Sequence, residues 1–126
     1  MTNEQARHEE LIAGISKQMK GILDSSQQAV YIYLDDIHKV CNRKYASLLG
    51  YRSPEEWAND ENLMDATVER SSQETLVTAY NQVMKKFIPA NIKITWKKKS
   101  GGTVATSVVM VPIAFDDHFF ALHFVS

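Results

Sequence analysis

An α+β domain is the fold class this sequence predicts, on three observations. Apolar residues between Leu11 and Leu23 recur at helical spacing. Two capped helix starts follow one another between Asn42 and Trp57, and the last third of the chain alternates apolar and polar residues between hairpin turns. At 126 residues, 44% hydrophobic, the chain can bury about two thirds of its unfolded surface, enough for one core in one domain.

The first element is an amphipathic helix within residues 1–24, followed by the domain proper over 25–126. Thr2 and Gln5 have the spacing of a capping box, and Ile12, Ile15, Met19 and Ile22 form the apolar stripe. Two heptads are too short for an autonomous coiled coil. The stripe is therefore expected to lie on the domain's own sheet and also to contribute to a homodimer contact.

Strands follow at Ala29–Leu34 and around Ile37–Cys41, joined by a turn at Asp35-Asp36, where adjacent carboxylates serve as turn formers. Asn42 is a suitable N-cap for the next helix, because its side-chain oxygen can accept a first-turn N–H. Gly50, after Leu48 and Leu49, suits the left-handed position that ends the helix. Ser53 and Pro54, a cap and a first-position proline, start another with Glu55 and Glu56 at its positive end. A less regular segment, Asn59–Thr67, leads to a long helix capped by Ser71 or Ser72. Its stripe is Leu76, Tyr80, Val83, Met84 and Phe87.

Three strands complete the chain. Ile92, Ile94 and Trp96 alternate with Lys93, Thr95 and Lys97, and Ser100-Gly101-Gly102 forms the turn. The next strand carries Val108, Val109, Met110, Val111 and Ile113, apolar on both faces, which predicts a sheet covered on both sides. Asp116-Asp117 turns into the last strand, Phe119–Val125.

Several functional classes are disfavoured. No nucleophile motif, phosphate loop, dinucleotide-binding glycine motif or H-E-x-x-H is present, so no enzymatic activity is expected. The four histidines, His8, His38, His118 and His123, lack metal-ligand spacing, and no metal site is expected. Cys41 reads as a small buried hydrophobe and excludes an internal disulfide. With 14 basic and 15 acidic residues the chain offers no field for nucleic acid; Lys97, Lys98 and Lys99 read as a solvated strand end. No apolar run approaches the roughly 20 residues of a membrane span, so no membrane partner is expected. The start, M-T-N-E-Q-A-R-H-E-E, is polar and acidic where a secretory signal is basic and then apolar, and a cytoplasmic location follows as the expectation.

The ordered set Asn42, Leu48, Leu49, Gly50, Tyr51, Ser53, Pro54, Glu55, Glu56 and Trp57 resembles the PAS family of sensory domains, with flanking elements that fit over most of the chain. The resemblance implies a five-stranded antiparallel sheet with helices on one face, and the N-terminal amphipathic helix on the other or at a dimer contact. It also implies a sensory module in signal transduction, acting through dimerisation or a downstream signalling protein and binding a small ligand. With the inward stripes, it implies a pocket lined by Tyr45, Leu49, Tyr80, Met84, Ile94, Trp96, Met110 and His123, each equally accounted for as plain core. A ligand-free dimerisation module is the alternative.

The cofactor is left unknown. Flavin photosensors of the LOV type resemble G-x-N-C-R-F-L-Q in the middle helical segment, whereas E-N-L-M-D-A-T-V-E-R-S-S-Q stands here without a cysteine. Oxygen-sensing haem domains carry a histidine on the long helix, and Ser71–Phe87 contains none. The last strand finishes F-V-S instead of the D-I-T common in the family. With no kinase, cyclase or DNA-binding segment, the chain is expected to act through a partner or to belong to a longer protein. Met1 and the first helix favour a self-contained unit or an N-terminal domain.

Overall fold

The computed structural model describes residues 3–126. Two helices, α1 (Asn3–Gln18) and α2 (Lys20–Ser25), precede the hairpin of β1 (Ala29–Asp35) and β2 (His38–Cys41). Four helices follow, α3 (Arg43–Leu48), α4 (Pro54–Ala58), α5 (Leu63–Thr67) and α6 (Arg70–Lys86), then β3 (Ala90–Lys97), β4 (Thr103–Phe115) and β5 (His118–Val125). The five strands form one antiparallel sheet in the order β2-β1-β5-β4-β3.

The strand period of two separates two cores. Tyr31, Val108, Met110, Ala121 and Val125 face α3 to α6, together with Ile94 and Trp96. Val30, Ile32, Phe120 and Leu122 face the opposite way and meet Leu11 and Ile15 of α1. The both-faces burial expected of β4 is met only in part: Val108 and Met110 are buried on one face, Val111 and Ile113 are partly covered on the other, and Val109 is 40% exposed. Gly14 lets α1 come close, since a Cβ there would stand 2.8 Å from the ring of Phe115.

The helix caps follow the sequence with one exception. Asn42 accepts the Tyr45 N–H at 3.0 Å and the Val30 N–H at 3.1 Å, and donates to the Gln28 carbonyl at 2.9 Å, so one side chain both starts α3 and fixes the entry to β1. Gly50 has φ +82°, and the Tyr51 N–H returns to the Ala46 carbonyl. Ser53 accepts the Glu56 N–H with Pro54 at the first position of α4. The exception is α6. Its cap is Glu69, whose carboxylate accepts the Ser71 N–H, rather than Ser71 or Ser72. Ser72 instead accepts the Thr95 N–H at 2.9 Å and pins the start of α6 to the edge strand β3.

Two further expectations shift slightly. The first hairpin turns at Asp36 and Ile37, one residue later than expected, because the Asp35 carboxylate binds the N–H groups of Ile37 and His38 and holds Asp35 at the strand end. The N-terminal segment is two helices broken at Met19. The expected capping box at Thr2 lies outside the described residues. At the other hairpin Asp116 and Asp117 both take positive φ, as a two-residue turn between right-twisted strands requires.

Candidate functional site

A cavity of about 240 Å³ opens between the sheet and the helices. Tyr31 and Tyr33 of β1, His123 of β5, Leu63 of α5, Leu76 and Tyr80 of α6 supply most of its wall, and Asp36, Met64 and Val77 stand around it. α5 is a short helix of five residues beside the opening. Gln73 of α6 donates to the carbonyls of Met64 and Val68 and so ties α6 to α5 and the residue after it.

The strand register assembles the deepest part. Tyr31 and His123 are cross-strand partners, and their rings stack at 3.8 Å with planes 8° apart. Tyr31 also stacks with Tyr45 at 4.6 Å and meets Trp57 and Trp96 edge-on. The Trp96 indole N–H is satisfied by Thr106 at 2.7 Å. His123 is 2% exposed, and its Nδ1 has no hydrogen-bond partner. Burial pushes the His123 pKa down to about 3, with the backbone of Tyr31 and Ala121 offsetting part of the effect. The ring is therefore neutral near pH 7, with one unused polar nitrogen in an apolar wall.

The outer part of the cavity is more polar. The Tyr33 hydroxyl donates to Asp36 at 2.7 Å, and the Tyr33 ring meets that of Tyr80 edge-on at 5.4 Å. Burial raises the phenols of Tyr31, Tyr33 and Tyr80, the Asp36 bond adding to the effect at Tyr33. All three remain protonated across the physiological range. Nearby, Lys39 is buried at 3% exposure, and its ammonium donates to the carbonyls of Asp36, Ala58 (3.0 Å) and Asp60 (2.7 Å). This clamp fixes the β1–β2 turn to the end of α4, and burial lowers the lysine's pKa.

Of the eight pocket residues expected from sequence, Tyr80 and His123 line the cavity. Tyr45, Leu49, Ile94, Trp96 and Met110 do not. They are at most 1% exposed and pack into the solid aromatic core, and Met84 packs against its margin. The helical stripe and the strand alternation mark inward faces, but cannot say where along a face the packing fails to close. Tyr31, Tyr33 and Leu76 were missed; Tyr31 and Tyr33 share a face with each other by strand alternation, which was the available signal.

The four residues expected at a dimer contact are distributed unevenly. Ile15 is 2% exposed against the chain's own sheet, and Ile12 and Met19 pack at its edge. Ile22, on α2, is 40% exposed. Ile15 therefore presents no surface to a second copy. Cys41 is buried, and burial pushes its thiol up to about 12, in keeping with an inert side chain.

The five-stranded antiparallel sheet with its helices matches a group of solved structures. This chain has a PAS-like fold. It is similar to a PAS domain from a two-component sensor histidine kinase, with a TM-score of 0.66 and 11% identity over 90% of this chain and 97% of that one. It is also similar to the PAS domain of a protein from Colwellia psychrerythraea, with a TM-score of 0.66 and 18% identity over 89% and 95% of the two chains. A third is VqmA of Vibrio cholera in a complex with ligand and DNA, at a TM-score of 0.67 and 10% identity, covering 87% of this chain but 50% of that one. No family model and no curated protein matches the sequence.

Proposed function

We propose that this PAS-like domain is a sensory or regulatory module in signal transduction that binds a small ligand between α5, α6 and the sheet. The observation that carries the proposal is the unpartnered Nδ1 of His123, buried in the wall of a preformed and largely apolar cavity. A buried polar atom without a partner costs about 1–3 kcal/mol, and a ligand that meets it recovers that cost. At about 240 Å³ the space falls below the roughly 300–1,000 Å³ of drug-sized sites, so the ligand is small. Its chemistry follows from the wall: a flat ring to lie beside Tyr31 and His123, one hydrogen-bonding group for Nδ1, and no net charge. The solved relatives add support, since one belongs to a sensor kinase and another is described with a ligand. A ligand would signal by altering how α6 sits on the sheet, and so what a dimer partner or downstream protein meets.

A native mass spectrum of the purified chain tests this. We expect a defined extra mass that disappears in Val77→Trp, a substitution at a half-exposed wall position that fills the opening without loading the core. If the spectrum shows only apo protein, small neutral aromatic compounds should be titrated in and followed at the ring signals of His123 and Tyr31. Failure of every such compound to shift those signals would reject the ligand site. The second reading, a ligand-free interaction module, is favoured by one feature. Phe87, Ile88 and Phe119 are each about half exposed, and the rings of Phe87 and Phe119 lie 4.7 Å apart. The same spectrum gives the subunit number, and a clean apo dimer supports that reading.

A further inference from the structure

Three of the four histidines meet between α1 and the β1–β2 turn, although they come from three elements distant in sequence. His8 lies on α1, His38 at the start of β2 and His118 at the start of β5. The rings of His8 and His38 are 5.5 Å apart, and those of His8 and His118 are 6.1 Å apart, both edge-on. Asp35, at the end of β1, stands among them. Its Oδ2 lies 2.7 Å from His8 Nδ1 and 2.9 Å from His38 Nδ1.

The carboxylate is itself held in place. Oδ1 accepts the backbone N–H groups of Ile37 at 3.0 Å and His38 at 2.8 Å and also lies 2.7 Å from His38 Nδ1, so the His38 ring is bracketed by both carboxylate oxygens while His8 meets Oδ2. Such outer bonds are how proteins orient the ligands of a metal. The donor atoms of His8, Asp35 and His38 all lie within 4.8 Å of one another. Tetrahedral zinc, with bonds of about 2.0–2.1 Å, needs neighbouring donors roughly 3.3 Å apart, so shifts of under an ångström would admit the ion.

We propose that His8, Asp35 and His38 form a binding site for a divalent transition-metal ion of the zinc type. Two imidazoles and one carboxylate match borderline cations, and exclude magnesium and calcium, which take all-oxygen sets. Binding replaces the protons now shared between the imidazoles and the Asp35 carboxylate by coordinate bonds, so the ion enters with proton release. Three protein ligands leave one position for water or for His118. Because His8 is the sole ligand from α1, the ion ties the N-terminal helix to the β1–β2 hairpin. The argument is independent of the cavity and its ligand.

Zinc chloride titrated into the chelator-treated full chain, in competition with a chromophoric chelator, is the test. One ion per chain is expected. His8→Ala and His38→Ala should each weaken binding about 100-fold, at least the loss seen when an outer-shell partner is removed. His8 is half-buried on the helix surface, so its variant should keep the native circular dichroism. Cobalt(II) reports the donor set separately: its spectrum should lack the thiolate charge-transfer band that ligation by Cys41 would produce. The imidazole nitrogen resonances of the unaltered protein give a readout that does not depend on a variant folding. Zinc should move Nδ1 of His8 and His38 and leave His123 unchanged. Absence of zinc binding, binding unaltered by both alanine variants, or unmoved His8 and His38 resonances would show a hydrogen-bonded His–Asp–His cluster with no metal function.

Discussion

The two faces of the sheet are built differently. The face under α3 to α6 is aromatic, with Tyr31, Tyr45, Trp57 and Trp96 in mutual ring contact. The face under α1 is mainly aliphatic, with Leu11, Ile15, Val30, Ile32 and Leu122 around Phe120. Among the described residues, the buried side-chain polar atoms without a partner are Tyr45 Oη, Trp57 Nε1 and His123 Nδ1, all on the aromatic face. Aliphatic side chains can close a face with little geometric demand, whereas large rings with polar ends leave gaps and unmet groups. The aromatic face is thus the one that holds both an open cavity and unmet polar groups. The aliphatic face is a seat for one helix, held at its start by side chains that reach both hairpins.

The largest effect should come from breaking the aromatic face. Trp96→Ala removes a 1% exposed indole, its contacts with Tyr31 and Tyr45, and the bond to Thr106. A loss of about 3–5 kcal/mol is expected in urea unfolding, with amide protection falling throughout the sheet. Leu11→Ala removes a side chain as fully buried, yet the damage should stay local. Undocking of α1 limits the cost, so about 2 kcal/mol is expected, with exchange accelerated in α1 and the protection of β4 retained. If both variants lose protection uniformly, the two faces are one cooperative unit and the contrast fails.

That contrast was only partly legible in the sequence. Helix starts at Asn42 and Ser53 and turns at Gly50, Gly101 and Asp116 could be read because each depends on a few neighbouring residues. The apolar run of β4 was legible for the same reason, but α1 covers its second face only at Val111 and Ile113 and leaves Val109 exposed. The cavity was not, because its wall is drawn from Tyr31, Leu63, Leu76 and His123, which are far apart in the chain. The histidine cluster was hidden similarly: spacing rules find ligands on one element, whereas His8, Asp35 and His38 converge only once α1 lies on the sheet. The cap of α6 was misread because a serine and a glutamate compete there. The longer side chain reaches the free N–H, while Ser72 is drawn away to Thr95.

Acid sharpens the comparison with an effect close behind that of the indole. His123 has a folded pKa of about 3 against about 6.5 in an unfolded chain. Between those values the unfolded state takes up a proton that the native state refuses, so stability is complete above pH 6.5 and falls as the pH drops towards 3. The slope approaches about 1.4 kcal/mol per pH unit, so a loss of roughly 2 kcal/mol is expected between pH 6.5 and 4.5. His123→Leu should flatten this part of the stability curve. On the other face the Asp35 carboxyl, despite its burial, is held below the usual range by bonds from His8, His38 and the Ile37 N–H. Its contribution is full above about pH 4 and is lost only as the pH falls through the lowered value, so measurements above pH 4.5 keep that carboxyl out of the slope, and the difference between the parent and His123→Leu gives the part due to His123. A slope unchanged in His123→Leu would mean that water or a bound molecule reaches the ring.

The smallest effect belongs to the ionic attachment of α1. Arg7 lies 2.9 Å from the Asp116 carboxylate and also donates to the Asp116 carbonyl at 3.1 Å, tying the start of the helix to the β4–β5 turn. Both side chains are well exposed, so salt and water screen the pair. Arg7→Ala should cost about 0.2–1 kcal/mol, less in high salt, and should raise exchange only in the first turns of α1. Leu11 and Ile15 would still seat the helix, because burial of apolar area acts whatever the ionic strength. If instead the arginine variant released α1 as fully as Leu11→Ala, the helix would be held by charge rather than by burial, and the aliphatic face would no longer account for its docking.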